Sequence, residues 1–289
     1  MDKRNIFQIV YTFITNSYIY GFIKGDIFKE KTKSFCLPGL NCYSCPGSLG
    51  ACPIGSFQSL IASAKYRMSF YALGFMTFFA VSFGRLICGW LCPFGLVQDI
   101  LFKIKTKKIK IKEKIHSKLI YLKYIILLVF VVLLPLLVRN DFNISSPYFC
   151  KYICPSGTLG AGLPLFLSNA GIRSAVGLLF SWKVLLLLII VSMSVFLYRP
   201  FCKYLCPLGA FYGLFNKLSF YQMSIDKDKC IDCGKCERVC NMHIKVRKDQ
   251  NNAECIRCND CKNNCPTKAI NSGLKGVNKK KINNEKEII

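Results

Sequence analysis

Histidine is nearly missing from this chain. His116 and His243 are the only two in 289 residues, and neither lies in a run apolar enough to cross a bilayer, so a membrane haem held by two histidines is excluded by count. There is no Walker-type phosphate loop and no glycine-rich dinucleotide fingerprint, which speaks against ATP or nicotinamide chemistry within the chain. Acidic residues are scarce as well: 15 Asp and Glu against 40 Lys and Arg leave a formal charge of +25. Such an excess could suit nucleic acid, but no aromatic stacking platform and no groove-reading motif accompanies it. From 225 to 272 ten basic residues meet seven acidic ones, a surplus of only 10 − 7 = 3.

What is abundant is apolar sequence, 52% of the chain, and its distribution explains the charge. A bilayer-crossing helix takes ~20 apolar residues. Runs of that length occupy about 68 to 87, 119 to 138 and 178 to 198. A fourth, about 6 to 23, carries Gln8, Thr12, Thr15, Asn16 and Ser17 and lacks a small-residue cleavage site, so it reads as an uncleaved first span. Lys183, near the start of the last run, can snorkel to the interface. Residues 102 to 118 hold eight lysines against Glu113 alone, and Lys3 and Arg4 precede the first span, whereas the longer connections 24 to 67 and 139 to 175 hold nine basic residues together. By the positive-inside rule this puts both termini and the lysine loop in the cytoplasm and the two longer connections outside. Trp90, Tyr148, Trp182 and Tyr198 suit the aromatic belts at the membrane faces. The end of the chain, 273 to 289 with Lys279, Lys280 and Lys281, reads as a basic disordered tail.

Cysteine is the other abundance. Eighteen fall into six groups. Two of these, Cys230-x2-Cys233-x2-Cys236-x3-Cys240 and Cys255-x2-Cys258-x2-Cys261-x3-Cys265-Pro266, have the spacing that wraps paired 4Fe-4S clusters. Three close thiolates hold three irons from one loop, and the fourth, three residues on, reaches the other cluster. The spacing therefore predicts one cluster on Cys230, Cys233, Cys236 and Cys265, and a second on Cys255, Cys258, Cys261 and Cys240. Structural zinc would use four cysteines per site without that crossing or the Cys-Pro ending.

The other ten cysteines sit at the ends of the apolar runs in an internal repeat. Arg85-Leu-Ile-Cys88-Gly-Trp-Leu-Cys92-Pro93-Phe-Gly95 parallels Arg199-Pro-Phe-Cys202-Lys-Tyr-Leu-Cys206-Pro207-Leu-Gly209. Cysteines four apart share one face of a helical turn, and a proline straight after the second suits the first position of a new helix, whose free N-H groups favour an anionic cluster. Cys88, Cys92, Cys202 and Cys206 are assigned to one cytoplasmic-side cluster, with Arg85 and Arg199 compensating its charge. On the opposite face Phe149-Cys150-Lys-Tyr-Ile-Cys154-Pro155-Ser-Gly157 copies the second motif, and Cys42-Tyr-Ser-Cys45-Pro46 with Cys52-Pro53-Ile-Gly55 follows the first span. Each half reads span, outer Cys-Pro motif, span, inner Cys-Pro motif, a parallel repeat about the membrane normal. Six outer cysteines, Cys36, Cys42, Cys45, Cys52, Cys150 and Cys154, exceed the four that one cluster needs. Cys45, Cys52, Cys150 and Cys154 carry the proline or pair with a cysteine that does, and Cys42 rivals Cys45. Disulfides are the alternative for thiols on an oxidising face.

At these residues the chain resembles a family. The Cys-x3-Cys-Pro pairs closing the second and fourth spans, followed by the paired C-x2-C-x2-C-x3-C runs, look like the NapH-type membrane iron-sulfur proteins of nitrate-reductase electron transport and the membrane part of NosR-type proteins. The resemblance covers roughly residues 68 to 270. It implies a four-helix membrane subunit with two cytoplasmic ferredoxin-type clusters, passing electrons between a quinone pool or cytoplasmic donor and an extracytoplasmic partner such as a flavoprotein or reductase. The chain departs from the NapH pattern in its outer cysteines, has no flavin-binding domain of the NosR kind, and carries Asn241 where proline commonly follows the fourth cysteine of a ferredoxin run.

The expectation is an all-α polytopic membrane protein of the cell membrane. Residues 1–220 form four transmembrane helices in two parallel repeats, 221–272 a small α+β two-cluster ferredoxin-like domain, and 273–289 the tail. It relays electrons through 4Fe-4S clusters, two in the ferredoxin domain and two more in the membrane domain, with lipid and a redox protein as partners and no nucleic acid. A quinol dehydrogenase subunit with a one-sided relay, and an iron-sulfur sensor of oxygen or redox state, are the alternatives; a sensor would favour a DNA-binding or kinase module, and no motif for either stands in the sequence.

Overall fold

Thirteen residues at the N-terminus form a helix that is inside out by the standards of a water-soluble protein. Helix α1 (Lys3–Thr15) buries Arg4, Asn5, Gln8 and Thr15 while Ile6, Phe7, Val10, Phe13 and Ile14 are exposed. In water each such exposed side chain forgoes about 25 cal/mol for every Å² it could bury; against lipid tails it forgoes nothing. Two further helices of this computed structural model are long and apolar enough to cross a membrane, α7 (Glu113–Leu137) and α9 (Leu178–Phe196). At 1.5 Å per residue they measure roughly 37 and 28 Å, against a hydrocarbon core of about 30 Å. Their outward faces carry Tyr121, Ile125, Leu128 and Leu136, and Leu185, Leu188, Ile189 and Met193. Pro135 cannot donate to the carbonyl four residues before it, and α7 takes wide π turns over Leu127–Leu133 as it approaches that residue.

The structure describes residues 3–62, 70–109, 111–138 and 145–275. The expected tail beyond residue 275 lies outside the described residues, as do the first two residues of the expected 68–87 span. Within them the two outer-numbered spans differ from continuous crossings. The predicted 6–23 helix is broken into α1 and α2 (Ile19–Lys24). At the break the Thr15 carbonyl accepts from Leu49 N at 3.0 Å and Tyr18 N donates to the Gly47 carbonyl at 3.2 Å, so the Gly47–Leu49 loop takes hydrogen bonds that a continuous helix would keep. The 68–87 run contains α4 (Tyr71–Phe83), which is 13 residues long. It ends at Gly84, whose φ of +54° favours glycine and where a Cβ would stand 2.5 Å from Asn216 Oδ1.

Two compact units emerge, Met1–Met76 with Leu91–Ala210, and Thr77–Trp90 with Phe211–Ile289. In the first unit α3 (Pro53–Ala62), α6 (Pro93–Phe102), α8 (Tyr148–Tyr152) and α10 (Pro200–Tyr204) are the helices that start or carry the cysteine motifs. Phe94 and Phe201 pack edge to face at 5.1 Å beneath two of those motifs, and His116 Nδ1 pairs with Tyr204 Oη at 2.9 Å. In the second unit α5 (Leu86–Trp90) packs with the C-terminal residues, where β1 (Tyr221–Ile225) pairs antiparallel with β2 (Ile270–Leu274) in the register Tyr221 to Leu274 and Ile225 to Ile270. That ribbon closes the ferredoxin-type region. Its unit takes in Thr77–Trp90 and Phe211–Phe220, which the sequence reading had assigned to the membrane domain.

Candidate metal centres

The ferredoxin region is built twice over. Cys230-Ile231-Asp232-Cys233-Gly234 and Cys255-Ile256-Arg257-Cys258-Asn259 follow the same backbone path: Asp232 and Arg257 have φ of 50° and 52°, Gly234 and Asn259 have 68° and 67°, and each loop runs into one helical turn, Lys235–Arg238 or Asp260–Asn263. Three residues after each fourth cysteine, His243 and Lys268 repeat the device at 58° and 51°. Left-handed conformations are costly for residues other than glycine. Alternating them with right-handed ones turns successive N-H groups toward a common centre, the arrangement that cradles an anionic cluster. Cys230, Cys233, Cys236 and Cys265 line one pocket of this region. Cys240, Cys255, Cys258 and Cys261 line another, floored by Met223, Met242, Ile244 and Val246. The fourth cysteine of each run thus faces the other run's three.

The second loop is anchored inside its unit. Arg85, fully buried, donates to Glu254 Oε2 at 2.7 Å and to the Ala253 carbonyl at 2.9 Å. Asn216 accepts from Arg85 N and donates to the carbonyls of Asn252 and Cys255. Arg257 reaches the Phe83 and Asn216 carbonyls and Ser219 Oγ. Trp90 Nε1 donates to the Arg257 carbonyl at 3.0 Å, and Gly89 lies so close that a Cβ would stand 2.3 Å from the Ile256 carbonyl oxygen. Cys88 belongs to this unit, on α5.

In the first unit all four Cys-Pro-x-Gly motifs use the cysteine as helix cap. Cys92 Sγ accepts from Gly95 N and Cys206 Sγ from Gly209 N, both at 3.4 Å, while Cys154 holds the cap position of its helix without a side-chain cap hydrogen bond. Each sulfur therefore sits at a helix start, where N-H dipoles favour negative charge. Cys92, Cys202 and Cys206 are buried. Gln98 Nε2 donates to Cys202 Sγ at 3.0 Å, and Gln8 on α1 donates to the Cys92 carbonyl at 2.7 Å. The charge of Arg199 meets a carboxylate: its Nε and Nη2 grip Asp99 at 2.6 and 2.5 Å, and Arg4 joins the same carboxylate at 3.3 Å. Arg85 and Arg199 are thus fixed by carboxylates far away in sequence.

The outer cysteines surround a cavity of about 680 Å³. Cys36, Cys42, Cys52, Cys150 and Cys154 line it. Four of them sense one another. Burial, and then the charges of Cys154 and Cys42, push the Cys52 thiol up; burial and its three neighbours Cys154, Cys52 and Cys42 do the same to Cys150; burial and Cys42 push Cys154 up to about 12. Glycines open the walls: a Cβ on Gly157 would lie 3.5 Å from Cys42 Sγ and 3.9 Å from Cys154 Sγ, and one on Gly55 would lie 3.9 Å from Cys150 Sγ. Cys45 does not line the cavity; its thiol contacts Asn16 Oδ1 at 3.8 Å and faces Gly160. Cys36 donates to Ser56 Oγ at 3.6 Å.

This donor set can be tested against the group the spacing implies. One zinc ion needs four ligands within about 2.3 Å of a point, and among the described residues no three His, Cys, Asp or Glu side chains are grouped to hold a single ion. Four thiols lining a roomy cavity, Cys52 and Cys154 buried at helix starts and Cys42 and Cys150 half-buried, suit a cluster that takes one thiolate per iron. Bound metal supplies the positive charge that these thiols need to ionise against burial.

A mostly helical chain with two helices long enough to cross a membrane and a doubled cysteine-loop region is an iron-sulfur electron-transfer protein. Comparison with known sequences agrees. Two families of 4Fe-4S binding domain match, one over residues 65–112 and 178–222 and one over 222–244. An uncharacterised protein of Methanocaldococcus jannaschii is 31% identical over 225 residues, 76% of this chain and 84% of the relative. The ferredoxin-type protein NapH of Haemophilus influenzae is 26% identical over 205 residues, 67% of this chain and 63% of NapH. The regulatory protein NosR of Pseudomonas aeruginosa is 29% identical over 200 residues, 64% of this chain and 25% of NosR. No solved structure matches. The chain belongs to the NapH/NosR-type iron-sulfur electron-transfer proteins.

Proposed function

We propose that the chain carries electrons across a cell membrane, between a cytoplasmic or quinone donor on one face and an extracytoplasmic redox protein on the other. The observation that carries this reading is the convergence of Cys42, Cys52, Cys150 and Cys154 on the 680 Å³ cavity, a second kind of thiol site beside the ferredoxin loops. A 4Fe-4S cluster takes up and releases single electrons. The chain's own residues supply the rest. Eight cysteines of the C-terminal region hold two clusters in the crossed pattern, and the Arg85 and Arg199 motifs supply Cys88, Cys92, Cys202 and Cys206 for a third. The outer four thiols hold a fourth, with Cys42 rather than Cys45 as the last ligand, because Cys42 lines the cavity and acts on Cys52, Cys150 and Cys154 while Cys45 does not line it. Helix-start N-H groups at Gly95 and Gly209 stabilise the sulfurs of Cys92 and Cys206.

In this reading four membrane crossings leave both termini and the lysine loop 102–118 in the cytoplasm and put 24–67 and 139–175 outside, with α1 and α2 together making the first crossing. The test has two parts. Protein purified under anaerobic conditions should hold about 16 iron atoms and as many acid-labile sulfides, four per cluster; a value that stays near eight would confine iron to the ferredoxin loops. In sealed cells a membrane-impermeant thiol reagent should label Cys150 in cluster-free protein lacking the other outer cysteines, and should miss Cys202. Labelling of Cys202 from outside, or of Cys150 only from within, would overturn the transmembrane relay in favour of a one-sided quinol-linked one.

A further inference from the structure

The inner and outer Cys-Pro motifs of the first half share more than their cysteines. Cys52-Pro-Ile-Gly-Ser-Phe-Gln58 and Cys92-Pro-Phe-Gly-Leu-Val-Gln98 both read Cys-Pro-x-Gly-x2-Gln, whereas the motifs at Cys154 and Cys206 carry Gly160 and Tyr212 at that sixth position. Six residues on from the cysteine, the glutamine lies in the second turn of the helix that the motif starts. Both are shut away from solvent, Gln58 at 0% and Gln98 at 1% exposure. Each aims its amide at the first cysteine of the Cys-x3-Cys-Pro pair in the other half: Gln98 Nε2 at Cys202 Sγ, 3.0 Å, and Gln58 Nε2 at Cys150 Sγ, 4.0 Å. The amide orientation of Gln98 is fixed independently, because Phe201 N donates to its Oε1 at 3.2 Å, which leaves only the NH₂ group to face sulfur. Gln58 Oε1 has no such partner.

We propose that Gln98 and Gln58 are matched potential-setting residues, each donating an N-H to one sulfur ligand of the inner or the outer cluster. This rests on the reading that those cysteines hold clusters. Reduction by one electron adds one negative charge to the cluster and its sulfur ligands, and a hydrogen bond to sulfur grows stronger as that charge grows, so the donor favours the reduced form and raises the midpoint potential. The two glutamines are positioning residues; neither touches a substrate. Their difference in geometry ranks them: Gln98, close and pinned, acts more strongly than Gln58, distant and held at one end only.

The experiment is a redox titration of the intact purified protein followed by EPR, the inner signal being the one lost in Cys202→Ser and the outer the one lost in Cys150→Ser. Gln98→Leu should move the inner midpoint to more negative potential by about tenfold in the equilibrium constant for reduction, which is ~59 mV for one electron, and leave the outer midpoint where it was. Gln58→Leu should move the outer midpoint in the same direction by less. Gln98→Glu keeps the shape but replaces the donor by an acceptor, and should move the inner midpoint at least as far as Gln98→Leu. Full iron with unmoved midpoints in the glutamine variants would overturn the proposal. If Gln98→Leu fails to assemble, Gln98→Glu and Gln58→Leu decide it by the same criterion. A wild-type protein that shows ferredoxin signals alone would instead refute the underlying reading of the membrane cysteines.

Discussion

Replacing Cys42 with alanine should cost the protein one quarter of its iron, while replacing Cys45 should cost none. The two cysteines are three residues apart in one loop, so the contrast tests geometry rather than composition. Cys42 lines the cavity, and its charge acts on Cys52, Cys150 and Cys154. Removing it leaves three thiolates for four irons, and a cubane short of a ligand on one iron is expected to be lost or degraded. Iron should fall from about 16 to about 12 atoms per chain by the four-iron rule, with one EPR signal gone and three retained. Cys45 packs its thiol on Asn16 and Gly160. Truncating it removes one buried sulfur contact, a loss of roughly 1 kcal/mol in stability, and should leave iron near 16. The assay is iron and acid-labile sulfide per chain after anaerobic purification, with EPR on the same samples. If Cys45→Ala loses the four irons and Cys42→Ala keeps them, the cavity argument is refuted and the proline-based choice of Cys45 is restored. If both keep them, neither is a ligand and Cys36, which also lines the cavity, takes the place.

Asp99 holds two buried guanidinium groups, so Asp99→Asn strands both and should cost about 3–5 kcal/mol; read as the apparent unfolding midpoint in detergent, that is a fall of roughly 6–20 °C, and a shift under 2 °C would show that the pair is not structural. Glu254→Gln should leave Arg85 and Arg257 as two buried positive charges beside Cys255 and raise the midpoint potential of the cluster in that loop, measured by EPR titration; a fall would contradict the electrostatics. Gly89→Ala drives a methyl group to 2.3 Å from the Ile256 carbonyl, which backbone must yield to at a cost of roughly 1–3 kcal/mol, and the first loss expected in iron analysis is the cluster of the Cys255 loop.

The parts that were legible in the sequence are those whose geometry is local. The crossed grouping of the ferredoxin-type cysteines is one such part: spacing alone pairs Cys265 with Cys230, Cys233 and Cys236, and Cys240 with Cys255, Cys258 and Cys261, and these are the sets that line the two pockets. The apolar runs expected at 119–138 and 178–198 coincide with the helices Glu113–Leu137 and Leu178–Phe196, the first starting earlier, in charged sequence. The outer fourth ligand was not legible, and the reason is specific. In the inner motif Cys88 stands four residues before Cys92, but four residues before Cys52 stands Ser48. The repeat therefore marks three outer cysteines and no fourth, and which further cysteine reaches the cavity is set by a loop whose path depends on tertiary contacts such as Lys33 Nζ with the Ser48 carbonyl at 2.6 Å. The break in the first span was hidden for the same cause. Hydropathy rates Asn16 and Ser17 as tolerable, whereas the loop residues Gly47 and Leu49 take the hydrogen bonds there. In the sequence the glutamines show only as a repeated sixth position, which no charge marks out.

The charge of each motif arginine is shared with a carboxylate rather than left free beside its cysteines. From sequence, Arg85 and Arg199 stand three residues before a cysteine and look like direct counter-charges. In the fold each is spent on a carboxylate, yet the balance around each carboxylate is uneven. Asp99 serves Arg199 and Arg4 together, one negative charge to two positive. Glu254 serves Arg85, and Arg257 lies buried in the same network on carbonyl and hydroxyl oxygens, again one to two. Each arrangement keeps a surplus of one positive charge near the motif cysteines: against burial, Tyr198, Asp99 and then Cys202 raise the affinity of Arg199 for its proton, and although burial pushes the Cys255 thiol up, Arg257 and Arg85 both act to lower it. A carboxylate that holds two guanidinium groups rigid in the interior spares the chain two unpaired buried charges, a heavy cost otherwise. What remains is a single fixed positive charge, the sign an anionic thiolate-ligated cluster requires if it is to accept another electron out of contact with water.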